Sequence, residues 1–194
     1  MSVIRNVTVP VGRSDMVGQA PAYTHSIRET PEEIAELQRL VDRTMANINP
    51  HFAAIVTPKN RLTAQQVCAY LQGTRIVAFS TVNAKGEPRV SPLDSLFLHG
   101  RFTLSTGLEA TRIGHLRTNP ACSAVYLEGD KVAVVVNGTV EWLARNHPDH
   151  DEIHGAWTAQ YGSDPYSWGS VAFFRIHPTA MWTYAGKPKE FPKG

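Results

Sequence analysis

Apolar and polar positions follow two different periods along this chain. From Thr30, the run Pro31 and Glu33 is a capping-box start with proline at the first helical position, and Ile34, Leu37, Val41 and Ile48 then recur near helical spacing. The pattern predicts a helix over 31–47, ended by Asn49-Pro50. Thr63 is placed to cap a second helix through Gln72, with Ala64, Val67, Cys68 and Leu71 on one face and Gly73 as its stop. The period then changes to that of strands. Residues 76–82 are rich in β-branched and aromatic side chains, and Asn83-Ala84-Lys85-Gly86 supplies a turn before 88–93, which predicts a hairpin. Phe97 and Leu98, a turn at His99-Gly100-Arg101, and 102–105 continue an antiparallel sheet. A short helix over 109–118 carries Ile113 and Leu116 three apart and stops at Asn119-Pro120. Further strands are predicted over 121–127, 132–137 and 139–143, joined at Gly129-Asp130 and bent at Gly138. A connecting helix over 149–161, a polar aromatic loop over 162–169 and a closing strand over 171–176 precede a tail ending in Lys187-Pro188-Lys189. The expected fold class is mainly β with α+β character, a six-stranded antiparallel barrel with a few flanking helices.

Residues 1–29 show no sustained periodicity and read as an extended arm, so the chain divides into an arm and helix over 1–60 and a main domain over 61–194 that begins near Arg61. A length of 194 residues suits one well-packed core rather than two. The net charge of +2 is far from the dense basic stripe of a duplex binder, so nucleic acid is excluded as a partner. The longest apolar run, 132–136, is too short to cross a bilayer, and residues 1–10 lack the pattern of an export signal; no membrane association and a cytoplasmic location are expected. Cys68 and Cys122 are too far apart in sequence for a zinc motif and read as buried apolar thiols. His150 and His154 share i, i+4 spacing that could hold a metal, but no third ligand is evident, and a polar helix face is the expected reading, with no metal.

The chemistry concentrates where Leu104-Ser105-Thr106-Gly107 runs into Thr111-Arg112 and then His115 to Pro120. A strand that enters a glycine and then a helix start presents unpaired N–H groups and a partial positive charge. Thr111 adds a hydroxyl and Arg112 a fixed cation suited to phosphate. Arg89 and Ser91 alternate along the neighbouring strand and point to one side of the sheet, where they could reach the same anion. On the residues alone, a solvated Arg112 and a cross-strand pairing for Arg89 stay open beside the anion site.

The blocks Ile76-Val77-Ala78-Phe79-Ser80-Thr81-Val82, Gly86-Glu87-Pro88-Arg89-Val90-Ser91-Pro92 and Thr111-Arg112 through Asn119-Pro120, in this order and spacing, resemble the pyridoxamine-phosphate-oxidase-like split β-barrel family. The resemblance covers 62–143 well and extends loosely to Trp182, with 1–60 outside it. It implies a flavin-binding oxidoreductase. Arg112 would hold the cofactor phosphate with help from Thr111, and the strand Arg89, Val90, Ser91, Pro92 and Leu93 would lie along the ring system. Ser105 and Thr106 would complete the pocket, and Trp182 would wall the site of the other subunit in a homodimer with cofactor sites at its interface. The cofactor implied is FMN, with the deazaflavin coenzyme F-420 as the alternative, acting on a small-molecule substrate through hydride transfer. The resemblance names no catalytic side chain. Arg175-Ile176-His177 is similar to the substrate-phosphate motif of the oxidases proper, but Pro178 and Thr179 then break the pattern, which argues against oxidation of a B6 vitamer. A non-catalytic haem or flavin binding protein, with His115 as the candidate iron ligand, and a ligand-free dimeric scaffold are the competing readings.

Overall fold

Three helices of the amino-terminal region begin by the same local device. Thr30, Asn49 and Thr63 each accept a hydrogen bond from the backbone N–H three residues on, at 3.2, 2.8 and 3.2 Å. They open α1 (Pro31–Ala46), α2 (Pro50–Ile55) and α3 (Ala64–Tyr70). Asn49-Pro50 therefore ends one helix, as expected, and also starts another that the periodicity did not announce. The computed structural model describes residues 28–193, so the arm expected over 1–29 lies outside the described residues except for Arg28 and Glu29.

Six antiparallel strands follow: β1 (Arg75–Val82), β2 (Pro88–Leu98), β3 (Arg101–Gly107), β4 (Ala121–Glu128), β5 (Val132–Trp142) and β6 (Val171–Ala185). They close into a barrel in the order β1-β2-β3-β6-β5-β4. Helix α4 (Thr111–Thr118) connects β3 to β4, and α5 (His150–Tyr161) with a 3₁₀ turn at Pro165–Trp168 connects β5 to β6. The expected α+β barrel is thus the fold. The β2–β3 connection is the two-residue turn His99-Gly100, with φ of 53° and 70°, the left-handed pair that a tight hairpin requires.

Two departures from the sequence pattern have clear causes. Residues 94–96, left between the predicted strand 88–93 and the sheet residues Phe97 and Leu98, belong to one continuous strand, β2. Alternation disappears there because Ser95, Leu96, Phe97 and Leu98 are all buried, Phe97 in the barrel interior and Leu96 and Leu98 beneath Ile153 and Trp157 of α5. Strand β6 runs nine residues past the predicted end at Ile176, through a proline that reads as a breaker. Pro178 faces Gly138 where the β5–β6 register shifts, and a bulge tolerates a residue without an N–H. A Cβ on Gly138 would stand 2.2 Å from the His177 carbonyl oxygen, so the bend foreseen there needs glycine.

The barrel interior is filled by Val77, Phe79, Phe102, Leu104, Val134, Val136, Phe174 and Ile176, and α1 and α3 add Leu37, Leu40, Val41, Val67 and Leu71 to the same core. Cys68 and Cys122 are buried in it as expected.

Candidate functional site

Strand β3 delivers Thr106 to the start of α4, and the chain turns between them with the Ala110 N–H donating to the Gly107 carbonyl at 3.0 Å. Ala110 occupies the N-cap and has no side chain with which to cap, so the first-turn N–H groups of Thr111 and Arg112 lack that partner. The helix is fixed from below by Ile113 and Leu116, both buried, and by His115, whose Nδ1 lies 3.0 Å from the Thr81 hydroxyl on β1. On this rigid base the half-buried Arg112 donates from Nη1 to Thr106 Oγ1 at 2.5 Å. It has no carboxylate partner among the described residues. Burial presses its pKa below the ordinary guanidinium value, yet it remains a cation at any working pH. A cation at a helix amino terminus opposes the helix dipole. Two positive features therefore share one spot with nothing negative among the described residues to balance them, an arrangement that an oxyanion would complete.

The other expected residues distribute unevenly around this point. Arg89, Ser91 and Leu93 oppose Thr81, Phe79 and Val77 on β1, so they do share one face, as the alternation required. Arg89 is exposed, however, and its guanidinium meets Glu87 at 2.6 Å rather than Thr106 or Arg112. Val90 and Pro92 point to the other face, beside Ser80 and Ala78, and Val90 is 67% exposed. Thr111 is exposed at the helix start. Ser105 and Thr106 are sequence neighbours on a strand and point to opposite faces, so Thr106 meets Arg112 while Ser105 does not. Trp182 is ten residues farther along β6 than Ala172, the partner of Thr106. Its indole meets Phe52 of α2 edge-on at 4.9 Å. That ring, rather than Arg112, is what it packs against within the chain.

The sequence motif Arg175-Ile176-His177 has a structural role at its first residue. Arg175 is buried, and each of its nitrogens donates to a carboxylate: Nε and Nη2 to Glu141 at 2.9 and 2.8 Å, and Nη1 to Asp149 at 2.6 Å. Arg101 and His147 also approach Glu141, each at 3.3 Å. The Arg175 hydrogen bonds hold the Glu141 carboxyl down to about 2. Three of the five Arg175 N–H donors are committed to these two carboxylates and the guanidinium is buried, so it is not presented to a substrate phosphate, and His177 is exposed.

His150 and His154 are likewise engaged. His150 bonds the Tyr166 hydroxyl at 2.7 Å and Asp151 at 2.9 Å, and His154 bonds Asp164 at 2.8 Å. Among the described residues no group of three or more metal-ligating side chains is present. No helix of the described residues is long and apolar enough to cross a membrane. Of the aromatic side chains of α5, Trp157 is core, while the Tyr161 hydroxyl donates to Asp94 at 2.5 Å and ties the end of α5 to β2.

The family model described as pyridoxamine 5'-phosphate oxidase matches residues 63–185. Among solved structures, a conserved hypothetical protein of Mycobacterium tuberculosis superposes with a TM-score of 0.58 at 15% identity, covering 71% of this chain and 93% of that one. The haem storage protein HutZ of Vibrio cholerae gives 0.53 at 16% identity over 60% and 89%. An FAD-binding protein of Mesorhizobium loti gives 0.51 at 22% identity over 63% and 92%. These likenesses show the fold. A comparison with curated proteins gives no match.

Proposed function

We propose, from the premise that this chain belongs to the pyridoxamine 5'-phosphate oxidase family, that it is an oxidoreductase which holds flavin mononucleotide by its phosphate at Thr106, Thr111 and Arg112. The observation that carries this reading is Arg112, a half-buried cation at an uncapped helix start with a hydroxyl but no carboxylate of the described residues for company. When bound, the flavin supplies the hydride chemistry. The chain's part is to bind and orient. Arg112, the Thr106 and Thr111 hydroxyls and the first N–H groups of α4 fix the phosphate. The first half of β2, Arg89 to Leu93, offers backbone donors and acceptors along the ring, with both its faces largely uncovered in the single chain.

A second copy would complete the site. Ile76, Val90 and Leu127 are 64, 67 and 60% exposed on β1, β2 and β4, which run side by side in the barrel, an apolar outer face suited to a homodimer interface. In such a dimer Trp182 would wall the phosphate site of the partner subunit. The substrate is a small organic molecule that does not use Arg175, since that guanidinium is committed to Glu141 and Asp149.

The test is a visible absorption spectrum of the purified protein, followed by parallel titrations with flavin mononucleotide, coenzyme F-420 and haem. Saturable binding of flavin mononucleotide, weakened by Arg112→Ala, supports the proposal. Preference for F-420 would make the chain a deazaflavin-dependent reductase, and a haem spectrum would move it toward the storage role of its Vibrio structural relative. Binding of none by a folded dimer would overturn the oxidoreductase reading.

A further inference from the structure

A cleft of about 450 Å³ opens beside β6 between Leu108, Trp142, Arg145, Tyr166, Ser170 and Phe173. Neither Thr106 nor Arg112 lines it, although Ala172 in its wall is the strand partner of Thr106, and its size falls in the range of small-molecule pockets. Its walls are mostly apolar, and one cation stands among them. The Arg145 guanidinium lies 4.0 Å from the centre of the Tyr166 ring. That ring is itself held: its hydroxyl meets His150 Nε2 at 2.7 Å, His154 stacks on it at 5.1 Å and 20°, and Phe173 meets it edge-on at 5.6 Å.

Stacking places Arg145 without consuming its donors. It makes no ion pair or side-chain hydrogen bond with another described residue, and Asp164, the acid whose charge it feels, is already bonded to His154 and the Tyr166 N–H, both at 2.8 Å. A guanidinium fixed by its face and free along its edge presents forked N–H donors with the geometry of a carboxylate or phosphate partner. Leu108, 45% exposed, and the half-buried Trp142 offer an apolar bed beside it.

We propose that this cleft is a second ligand site, taking a planar apolar molecule that carries an oxyanion, with Arg145 receiving the anion and the wall of Leu108 and Trp142 receiving the ring. It does not depend on the flavin reading, because Arg112 and Thr106 take no part in it.

Calorimetric titration of the full-length protein with 2-naphthoate, 2-naphthyl phosphate and the neutral 2-naphthamide tests it, the two anions separating carboxylate from phosphate preference. One-to-one binding of at least one anion is expected. Arg145→Gln should weaken that anion by on the order of tenfold, the worth of a charge-assisted hydrogen bond, and leave the amide unchanged. Ser170→Phe, at an exposed position on the cleft rim, should weaken all the ligands that bind, and Arg112→Ala none. Absence of saturable binding by both anions would overturn the proposal. So would anion binding that survives Arg145→Gln intact, or that is lost in Arg112→Ala.

Discussion

Replacing Arg175 with methionine removes the hub of a charge network and keeps most of the side-chain volume. Glu141 would retain only the 3.3 Å approaches of Arg101 and His147, and Asp149 would lose its guanidinium partner. Removing one member of a buried ion pair costs about 3–5 kcal/mol. The Glu141 and Asp149 side chains are 30 and 36% exposed, so water recovers part of this and about 2–3 kcal/mol is expected. The depression of the Glu141 carboxyl from 4.5 to about 2 points to the same scale, at roughly 1.4 kcal/mol per pH unit before any allowance for solvent. Because the folded pKa is lowered, this stabilisation is present above the ordinary carboxylate value and is lost as pH falls from 4.5 toward 2. Urea unfolding at neutral pH should show the full difference, or a melting temperature lower by roughly 5–10 °C, and the two proteins should converge as the pH drops through that window. A variant as stable as the parent, but with impaired ligand binding, would refute the structural role of Arg175.

Other consequences follow from single positions. Gly138→Ala forces the β5–β6 bulge apart, since its Cβ would stand 2.2 Å from a backbone oxygen; a loss of about 1–3 kcal/mol or more in chemical unfolding is expected. Burial works against a charged His99, but its hydrogen bonds to Glu33 and Glu152 outweigh that and raise its pKa above 6.5. Its contribution is therefore full below the ordinary histidine value and fades as pH rises through the folded one, so the melting difference between the parent and His99→Gln should shrink with rising pH. Burial pushes the Cys122 thiol up to about 12 and the Cys68 thiol higher still, so neither should react with a disulfide reagent in the native protein and both should react on denaturation.

Much of the barrel was legible in the sequence because its devices are local. Thr30 and Thr63 cap with their own side chains, Gly138 bends a strand against a neighbouring carbonyl, and Gly100 admits a left-handed turn. What escaped depends on distant partners. The burial of residues 95–98 on both faces comes from α5, some fifty residues on, and the passage of β6 through Pro178 depends on the bulge it faces. The site divides in the same way. Thr106 and Arg112 are six residues apart and meet. Arg89 shares the expected face but pairs with Glu87, because an exposed guanidinium takes the carboxylate two residues away. The commitment of Arg175 to Glu141 and Asp149 had no local signal, since spacing in sequence does not record which acids a closed barrel brings alongside.

The decisive measurement is the affinity ratio of flavin mononucleotide to riboflavin, two ligands that differ only in the phosphate, in the parent protein and in Arg112→Ala. With the phosphate on Arg112, flavin mononucleotide should bind about ten- to a hundredfold tighter than riboflavin in the parent, and the ratio should collapse toward one in the variant. A ratio near one in the parent, or one unchanged by the substitution, would contradict the placement of the phosphate at Thr106 and Arg112.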